Sequence, residues 1–348
     1  MNTLSSNTPA FDFLVFIGRF QPFHLGHQFV VSEALKQAKR VIILIGSSKQ
    51  PKTLRNPWSF AERKQFIKLS FGAEDYQRLA IAPLLDDLYN DQNWIRSVQQ
   101  TVNGIVCQYP TSVGVAPKIG LIGHSKDHSS YYLSRFPQWP AINVENFQNL
   151  SATPLREDYF AIGKIPDGIH PLIKQHLAEA LSSSDYQHIA EEYIFIKTYQ
   201  QGWANAPYPP VFVTVDAVVI QSGHILLIER NARPGKGQLA LPGGFLDPQE
   251  RLKDAVIREL REETKIKIPA PVLAGSIVKQ QVFDDPHRSA RGRTITHAYL
   301  LLLKEDPKGL PKVKGGDDAR HALWLPLAEI TPEILFEDHY HIIQAMIG

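Results

Sequence analysis

The sequence predicts an α/β protein built from two successive domains, and three observations carry that prediction. In the N-terminal half, short apolar runs alternate with helical patterns, the rhythm of a parallel sheet covered on both faces. Gln201–Pro210 holds three prolines and a glycine, the composition of a fairly stiff linker. Beyond it, two apolar runs flank Gln221-Ser222-Gly223 as a hairpin, and an acid-rich helix follows. A chain of 348 residues suits two domains. The expected division is a first domain over 1–200, a linker over 201–210 and a second domain over 211–348.

Taken in order, the strand-like runs of the first half are Phe11–Ile17, Arg40–Gly46, Arg78–Pro83, Lys118–Gly123 and a weaker Ala141–Glu145. Helical patterns lie between them at Gln28–Lys39, Ser59–Phe71 and Asp91–Cys107, and Pro166 to Gln200 reads as one or two more helices. In the second half the strands are Val211–Ile220, His224–Glu229 and Ile295–Leu303, with Trp324 ending another. Arg251–Lys265 and Thr331–Met346 read as helices.

The totals exclude several classes. The net charge of +2 supports no broad nucleic-acid footprint. One cysteine, Cys107, leaves no intramolecular disulfide and no cysteine-based zinc cluster, as suits a reducing compartment. The first ten residues lack the basic and apolar regions of a signal peptide, and no apolar run reaches bilayer length. The expectation is a cytoplasmic protein with neither membrane nor nucleic acid as partner; homo-oligomerisation is left open.

Gly18-Arg19-Phe20-Gln21-Pro22-Phe23-His24-Leu25-Gly26-His27 sits where the first strand turns into a helix. Helix N-termini carry unpaired N–H groups and partial positive charge, and glycine lets the backbone approach a phosphate. His24 and His27 stand three apart and can face one ligand. The physical reading is a nucleotide phosphate site. Arg63 is balanced between a phosphate contact and an exposed helix arginine. Trp94 offers either an aromatic face for a ligand's ring or an anchor for its helix in the core.

The run from Gly18 to His27 resembles the His-x-Gly-His motif of the nucleotidyltransferase superfamily, and in its full length the archaeal-type NMN adenylyltransferases. Leu150-Ser151-Ala152-Thr153-Pro154-Leu155-Arg156 is similar to that family's Ser-x-Thr-x-x-Arg element, and the stretch from Gly123 to Tyr132 to its Gly-x-x-Lys-Asp-x-Ser-Ser-Tyr-Tyr stretch. The resemblance implies a Rossmann-like nucleotidyltransferase domain that transfers AMP from ATP to NMN, giving NAD and pyrophosphate. ATP would be held by Gly18, Arg19, Phe20, His24, Gly26 and His27, joined by Gly123, Lys126 and Asp127. Ser151, Thr153 and Arg156 would close over its phosphates, with His24, His27 and Arg156 catalytic. NMN would meet Arg55, Asn90 and Trp94. Mg²⁺ would come with the triphosphate.

In the second half, Glu259, Glu262 and Glu263 stand at i, i+3 and i+4 on one helical face. Like charges packed so closely favour a bound cation, and oxygen-only ligands suit Mg²⁺ or Mn²⁺; a solvated acidic face is the alternative. Gly244-x5-Glu250-x7-Arg258-Glu259-Leu260-x-Glu262-Glu263-x-Lys265-Ile266 resembles the Nudix box, with Lys265 in place of its glycine. The helix end at that position favours a left-handed backbone, which costs a lysine on the order of 1 kcal/mol. The resemblance implies a Nudix α/β/α sandwich with a mixed sheet that hydrolyses ADP-ribose to AMP and ribose 5-phosphate. Glu259, Glu262, Glu263 and Gly243 would hold metal, and Arg258 would orient Glu259. ADP-ribose would meet Gly243, Gly244, Arg288, Arg291 and Arg293; an exposed basic loop is the alternative for the arginines.

Together the resemblances imply a bifunctional enzyme of NAD metabolism acting on ATP, NMN, NAD and ADP-ribose. The rivals are an adenylyltransferase for nicotinate mononucleotide, FMN or phosphopantetheine, and a Nudix domain that senses a nucleotide without cleaving it.

Overall fold

The first described strand, β1 (Phe11–Gly18), becomes the middle of a five-stranded sheet. The computed structural model describes residues 9–109, 115–124, 132–145, 147–317 and 319–348. After β1 come α1 (Leu25–Gln37), β2 (Ala38–Ile45), α2 (Phe60–Leu69), the short α3 (Ala73–Gln77), β3 (Leu79–Pro83) and α4 (Asp91–Val106). Then follow β4 (Ile119–Gly123), β5 (Ala141–Asn143), α5 (Ala152–Ile162), α6 (Pro171–Ala180) and α7 (Ser184–Gln201). The sheet order is β3-β2-β1-β4-β5, parallel throughout. The apolar runs are continuous because helices cover both faces: Leu14, Val15 and Ile42 through Ile45 have no exposed surface.

The order reverses between β1 and β4, so their carboxyl ends at Gly18 and Gly123 flank the crevice where such sheets bind ligands. α1 starts three residues before the expected Gln28, because His24 caps it there, and stops at Gln37, where the chain passes directly into β2. α5 ends at Gly163, whose φ of 69° closes the helix in the left-handed region.

The chain divides into two compact units between Ala190 and Glu191, inside α7. The second unit holds β6 (Val211–Gln221), β7 (His224–Arg230), β8 (Leu239–Ala240), β9 (Gly243–Phe245), α8 (Leu252–Thr264) and α9 (Ala270–Gly275). β10 (Ile277–Phe283), β11 (Arg293–Leu302), β12 (Ala319–Pro326) and α10 (His339–Ile347) complete it. Its sheet runs β10-β11-β6-β7-β12, with β8 on β7 and β9 on β6. β11 and β6 pair in parallel and the other described strand pairs are antiparallel, so the sheet is mixed. The tight turn between β6 and β7 places Ser222 and Gly223 at φ 47° and 72°, as a two-residue hairpin requires. α8 lays Val256, Leu260 and their neighbours on this sheet.

The last helix corrects the sequence reading. Thr331–Met346 is not one helix: Pro332–Ile334 forms a single 3₁₀ turn, Glu337 turns left-handed at φ 44°, and α10 starts only at His339. The intervening segment instead delivers Phe336 and Glu337 to a cleft, joined there by His339 at the start of α10. No helix among the described residues is long and apolar enough to cross a membrane.

Candidate functional site

At the end of β1 the two histidines cap α1 reciprocally. The His24 Nδ1 accepts from the His27 backbone N–H at 3.4 Å, and the His27 Nδ1 accepts from the His24 backbone N–H at 3.3 Å. An imidazole that accepts at Nδ1 carries its proton at Nε2 when neutral. Both Nε2–H groups are thereby set as donors. The rings stack at 3.6 Å. Burial, with His24 and His124 nearby, holds His27 well below the usual histidine range, so it stays neutral at physiological pH.

Glycines make room for this arrangement. A Cβ on Gly26 would lie 3.0 Å from the His24 ring, and one on Gly18 would lie 2.8 Å from the Phe20 ring. The Phe20 ring is buried edge-on to His27, at 5.0 Å between centroids. Any ATP contact from Phe20 therefore falls to its main chain.

Arginines gather beside the histidines. Arg156 is buried and donates to the carbonyl of Gln21 at 2.6 Å and to Thr153 Oγ1 at 3.2 Å. Burial, then the charges of Arg19 and Arg55, pull it down to about 10. Arg19 is likewise pulled down to about 10, by burial and then Arg55, and its Nη1 is buried without a hydrogen-bond partner. Cations that crowd and desolvate one another make a place for an anion. Ser151 stands at the N-cap of α5, with Thr153 in its first turn. At Gly123 a Cβ would lie 2.5 Å from the Tyr132 hydroxyl. Lys126 and Asp127 lie outside the described residues.

The three residues expected to meet NMN differ from one another in their surroundings. Asn90 caps α4, its Oδ1 accepting from Asn93 N–H at 3.1 Å, and is exposed, as is Arg55. Trp94 is half-buried and packs on the core through Phe136, at 6.0 Å between ring centroids. Arg63 is not a solvated arginine; it is buried and its guanidinium is taken up by main-chain carbonyls. Asp86 ties the end of β2 to the segment after β3: its carboxylate accepts from the Ser47 N–H at 3.1 Å and the Ser47 hydroxyl at 2.6 Å.

In the second unit, α8 presents its acids around one guanidinium. Arg258 is bidentate to Glu250, at 2.9 Å to each oxygen, and donates to Glu259 at 2.8 Å and Glu262 at 3.1 Å. Glu263 turns inward and accepts from the Gly243 N–H at 2.9 Å. Burial, then Glu259 and Asp216, pushes Glu263 up to about 8, and burial raises Glu259 too. Among the described residues, no three His, Cys, Asp or Glu side chains are arranged to hold a metal ion. The donor set nevertheless fits a divalent cation in kind: three carboxylates with oxygen ligands only, two of them held in a desolvated state that a cation would relieve. Gly244 leaves space beside them, since a Cβ there would lie 2.4 Å from Glu259 Oε1. Lys265 takes the left-handed backbone the sequence leads one to expect, at φ 48° and ψ 26°.

Glu263 opens onto a cleft of about 730 Å³, open mouth included. Gly243, Gly244, Arg288 and Arg291 line it, and Arg293 does not; Arg293 pairs with Asp284 instead. Arg288 is buried rather than in an exposed basic loop. It is bidentate to Asp338 at 2.9 and 3.0 Å and lies 3.9 Å from Asp216. Sequence reasoning misses Asp216, Asp338 and His339. Asp216 is buried, accepts from Thr296 Oγ1 at 2.6 Å and is raised by burial. His339 accepts from the Leu241 N–H at 2.9 Å. No local motif marks these residues, because each acquires its meaning from a partner far along the chain.

Comparison with known proteins agrees with this geometry. Family models match residues 15–106 as Cytidylyltransferase-like and residues 210–346 as a NUDIX domain. Over 185 residues the chain is 40% identical to the nicotinamide/nicotinic acid mononucleotide adenylyltransferase of Acinetobacter baylyi, spanning 53% of this chain and 94% of that protein. Over 132 residues it is 37% identical to the ADP-ribose pyrophosphatase of Methanocaldococcus jannaschii, spanning 38% of this chain and 70% of that one. A bifunctional NMN adenylyltransferase/ADP ribose pyrophosphatase from Francisella tularensis, crystallised with AMP and a Mn ion, superposes with a TM-score of 0.89 at 38% identity, over 97% of this chain and 98% of that one. With both of its units matched and nearly its whole length superposed, the chain belongs to the family of bifunctional NMN adenylyltransferase/ADP ribose pyrophosphatases.

Proposed function

We propose that this protein makes NAD and pyrophosphate from ATP and NMN in its first unit and hydrolyses ADP-ribose to AMP and ribose 5-phosphate in its second. The observation that carries the reading is the full-length match to the bifunctional Francisella enzyme. In the first reaction a phosphate oxygen of NMN attacks the α-phosphorus of ATP, and the bond to pyrophosphate breaks. That needs positioning and charge stabilisation rather than a covalent intermediate. The Nε2–H groups of His24 and His27 donate to the ATP phosphates. Arg156 and Arg19 take up charge on the departing pyrophosphate, and Ser151 and Thr153 donate from the start of α5.

In the second reaction water attacks one phosphorus of the diphosphate, the bond from that phosphorus to the bridging oxygen breaks, and AMP and ribose 5-phosphate separate. Glu259, Glu262 and Glu263, with the main chain of Gly243, would hold a divalent cation, Mg²⁺ or Mn²⁺, that neutralises the diphosphate and activates water when bound. Arg258 orients Glu259 and Glu262, and Arg291 faces the substrate across the cleft. We place the enzyme in the cytoplasm, where a single unpaired cysteine stays reduced.

A second acceptor, nicotinic acid mononucleotide, is favoured by the 40% identity to the Acinetobacter protein, whose name covers both mononucleotides. The test is direct. Protein, ATP, Mg²⁺ and either mononucleotide should yield the dinucleotide by chromatography; no product with either rejects the first half. ADP-ribose left intact with Mg²⁺ or Mn²⁺ rejects the second.

A further inference from the structure

Arg55 rides on a tight turn whose two ends are tied down. Across that turn the main chains of Thr53 and Asn56 bond each other, N–H to carbonyl, at 3.3 and 3.1 Å. On the far side Gln21 grips the main chain of Trp58: its Nε2 donates to the carbonyl at 2.9 Å, and its Oε1 accepts from the N–H at 3.1 Å. On the near side the Lys52 ammonium lies 2.6 Å from an oxygen of Asp185 and 3.3 Å from one of Glu62. Trp58, Phe160 and Tyr186 share the wall of the recess that these three charges line, and apolar neighbours strengthen an ion pair by lowering the local dielectric. Asp185 stands in the first turn of α7. The next residue, Tyr186, donates from its hydroxyl to the Tyr159 carbonyl in α5 at 2.9 Å and stacks on Phe160 at 5.5 Å between centroids. α5 is the helix that carries Arg156, and Arg156 in turn donates to the main-chain carbonyl of Gln21. Both anchors of the turn therefore lead to Arg156.

We propose that Lys52 is a positioning residue of the first unit: its bridge to Asp185 and Glu62 holds the Arg55 turn ready for the mononucleotide, against the repulsion of Arg19 and Arg156. The inference rests on the reading of that unit as the adenylyltransferase and deepens it. The charge of Arg55 acts on both Arg19 and Arg156. Like charges push an exposed turn outward until an anion sits among them. Without the bridge the turn spends less of its time in place, and the apparent affinity for the mononucleotide falls by that fraction.

Two substitutions of opposite charge test the bridge. Lys52→Met removes a positive charge and Asp185→Asn a negative one, so a simple field effect on an anionic substrate would raise the KM for NMN in the first and lower it in the second. The bridge requires a rise in both, by about three- to tenfold, with kcat within about twofold of wild type and the KM for ATP unchanged. The double variant should be no worse than either single one, and Lys52→Arg should restore the KM for NMN, which a folding defect would not explain. Opposite shifts, no shift, or a parallel rise in the KM for ATP overturn the bridge. If the wild-type protein forms no dinucleotide, the functional reading fails separately. Calorimetry with NMN then decides the bridge: affinity lowered in both single variants sustains it, and affinity that neither variant changes, or that the wild type lacks, overturns it.

Discussion

Arg63 donates to the carbonyl oxygen of Gly46 at 2.6 Å from the buried side of α2. The same guanidinium reaches the carbonyls of Arg19 at 2.7 Å, Ser47 at 3.1 Å and Ser59 at 3.2 Å. One side chain thus joins the ends of β1 and β2 to the start of α2. Removing it strands several buried carbonyls, each costly without a donor. Arg63→Met should lower stability by about 3 kcal/mol or more, read as the urea midpoint at which NAD synthesis is lost. An unchanged midpoint would contradict the clamp.

His24→Ala should lower NAD synthesis by about a hundredfold or more, in the range seen for lost transition-state donors. ADP-ribose cleavage should persist. The two rates measured on one preparation decide it, and parallel loss of both would mean that the variant misfolds.

Arg258→Lys cannot reproduce the bidentate grip on Glu250 or the simultaneous donation to Glu259 and Glu262. ADP-ribose cleavage should fall roughly 10- to 100-fold, with a higher Mn²⁺ concentration needed for half-maximal rate. A loss of rate at unchanged Mn²⁺ dependence would remove Arg258 from any role in arranging those acids.

Lys265 packs across Gly316: a Cβ on Gly316 would lie 2.2 Å from Lys265 Cε and 2.6 Å from the carbonyl of Glu262. Gly316 also donates its N–H to the carbonyl of Glu263 at 3.0 Å. Gly316→Ala should destabilise the second unit by about 1–3 kcal/mol. Lys265→Gly in the same chain should not rescue it, because the Glu262 carbonyl remains in the way. Lys265→Gly alone removes a left-handed side-chain cost of about 1 kcal/mol, partly offset by the chain entropy of glycine, so its melting point should shift little.

Burial holds His339 down to about 3, against about 6.5 in an unfolded chain. Between those values the unfolded chain binds the extra proton. Stability from this group is therefore complete above about pH 6.5 and falls on acidification, by up to about 1.4 kcal/mol per pH unit. His339→Gln keeps an acceptor for the Leu241 N–H and does not titrate. The stability gap between wild type and this variant should narrow from pH 7 to pH 5 in urea unfolding. A gap independent of pH would mean that His339 is charged in the fold.

What the sequence makes legible is local. The strands of the first sheet show as apolar runs, the histidine pair as a spacing of three, and the left-handed Lys265 as a helix end. Arg63, Arg288 and Asp216 are opaque, because their environments come from tertiary contacts: Arg288 meets Asp338 fifty residues later, and Asp216 meets Thr296 eighty residues later. The start of α10 is misread because the apolar residues of Thr331–Met346 keep a helical rhythm, while Glu337 breaks the backbone for reasons its own residue type does not announce. Trp94 shows the ambiguity of an aromatic at a helix start, where one ring can serve the core and a ligand alike.

The position of β1 bears on how the protein is made. β1 is an interior strand, flanked by β2 and β4, and it leaves the ribosome before either of them. β2 follows at once, but β4 begins only at Ile119, so one long apolar edge must wait through most of the unit's synthesis. Unpaired strand edges of that kind invite association between nascent chains. Truncations that end before Ile119 should accordingly accumulate as insoluble material, even though they contain the entire histidine motif.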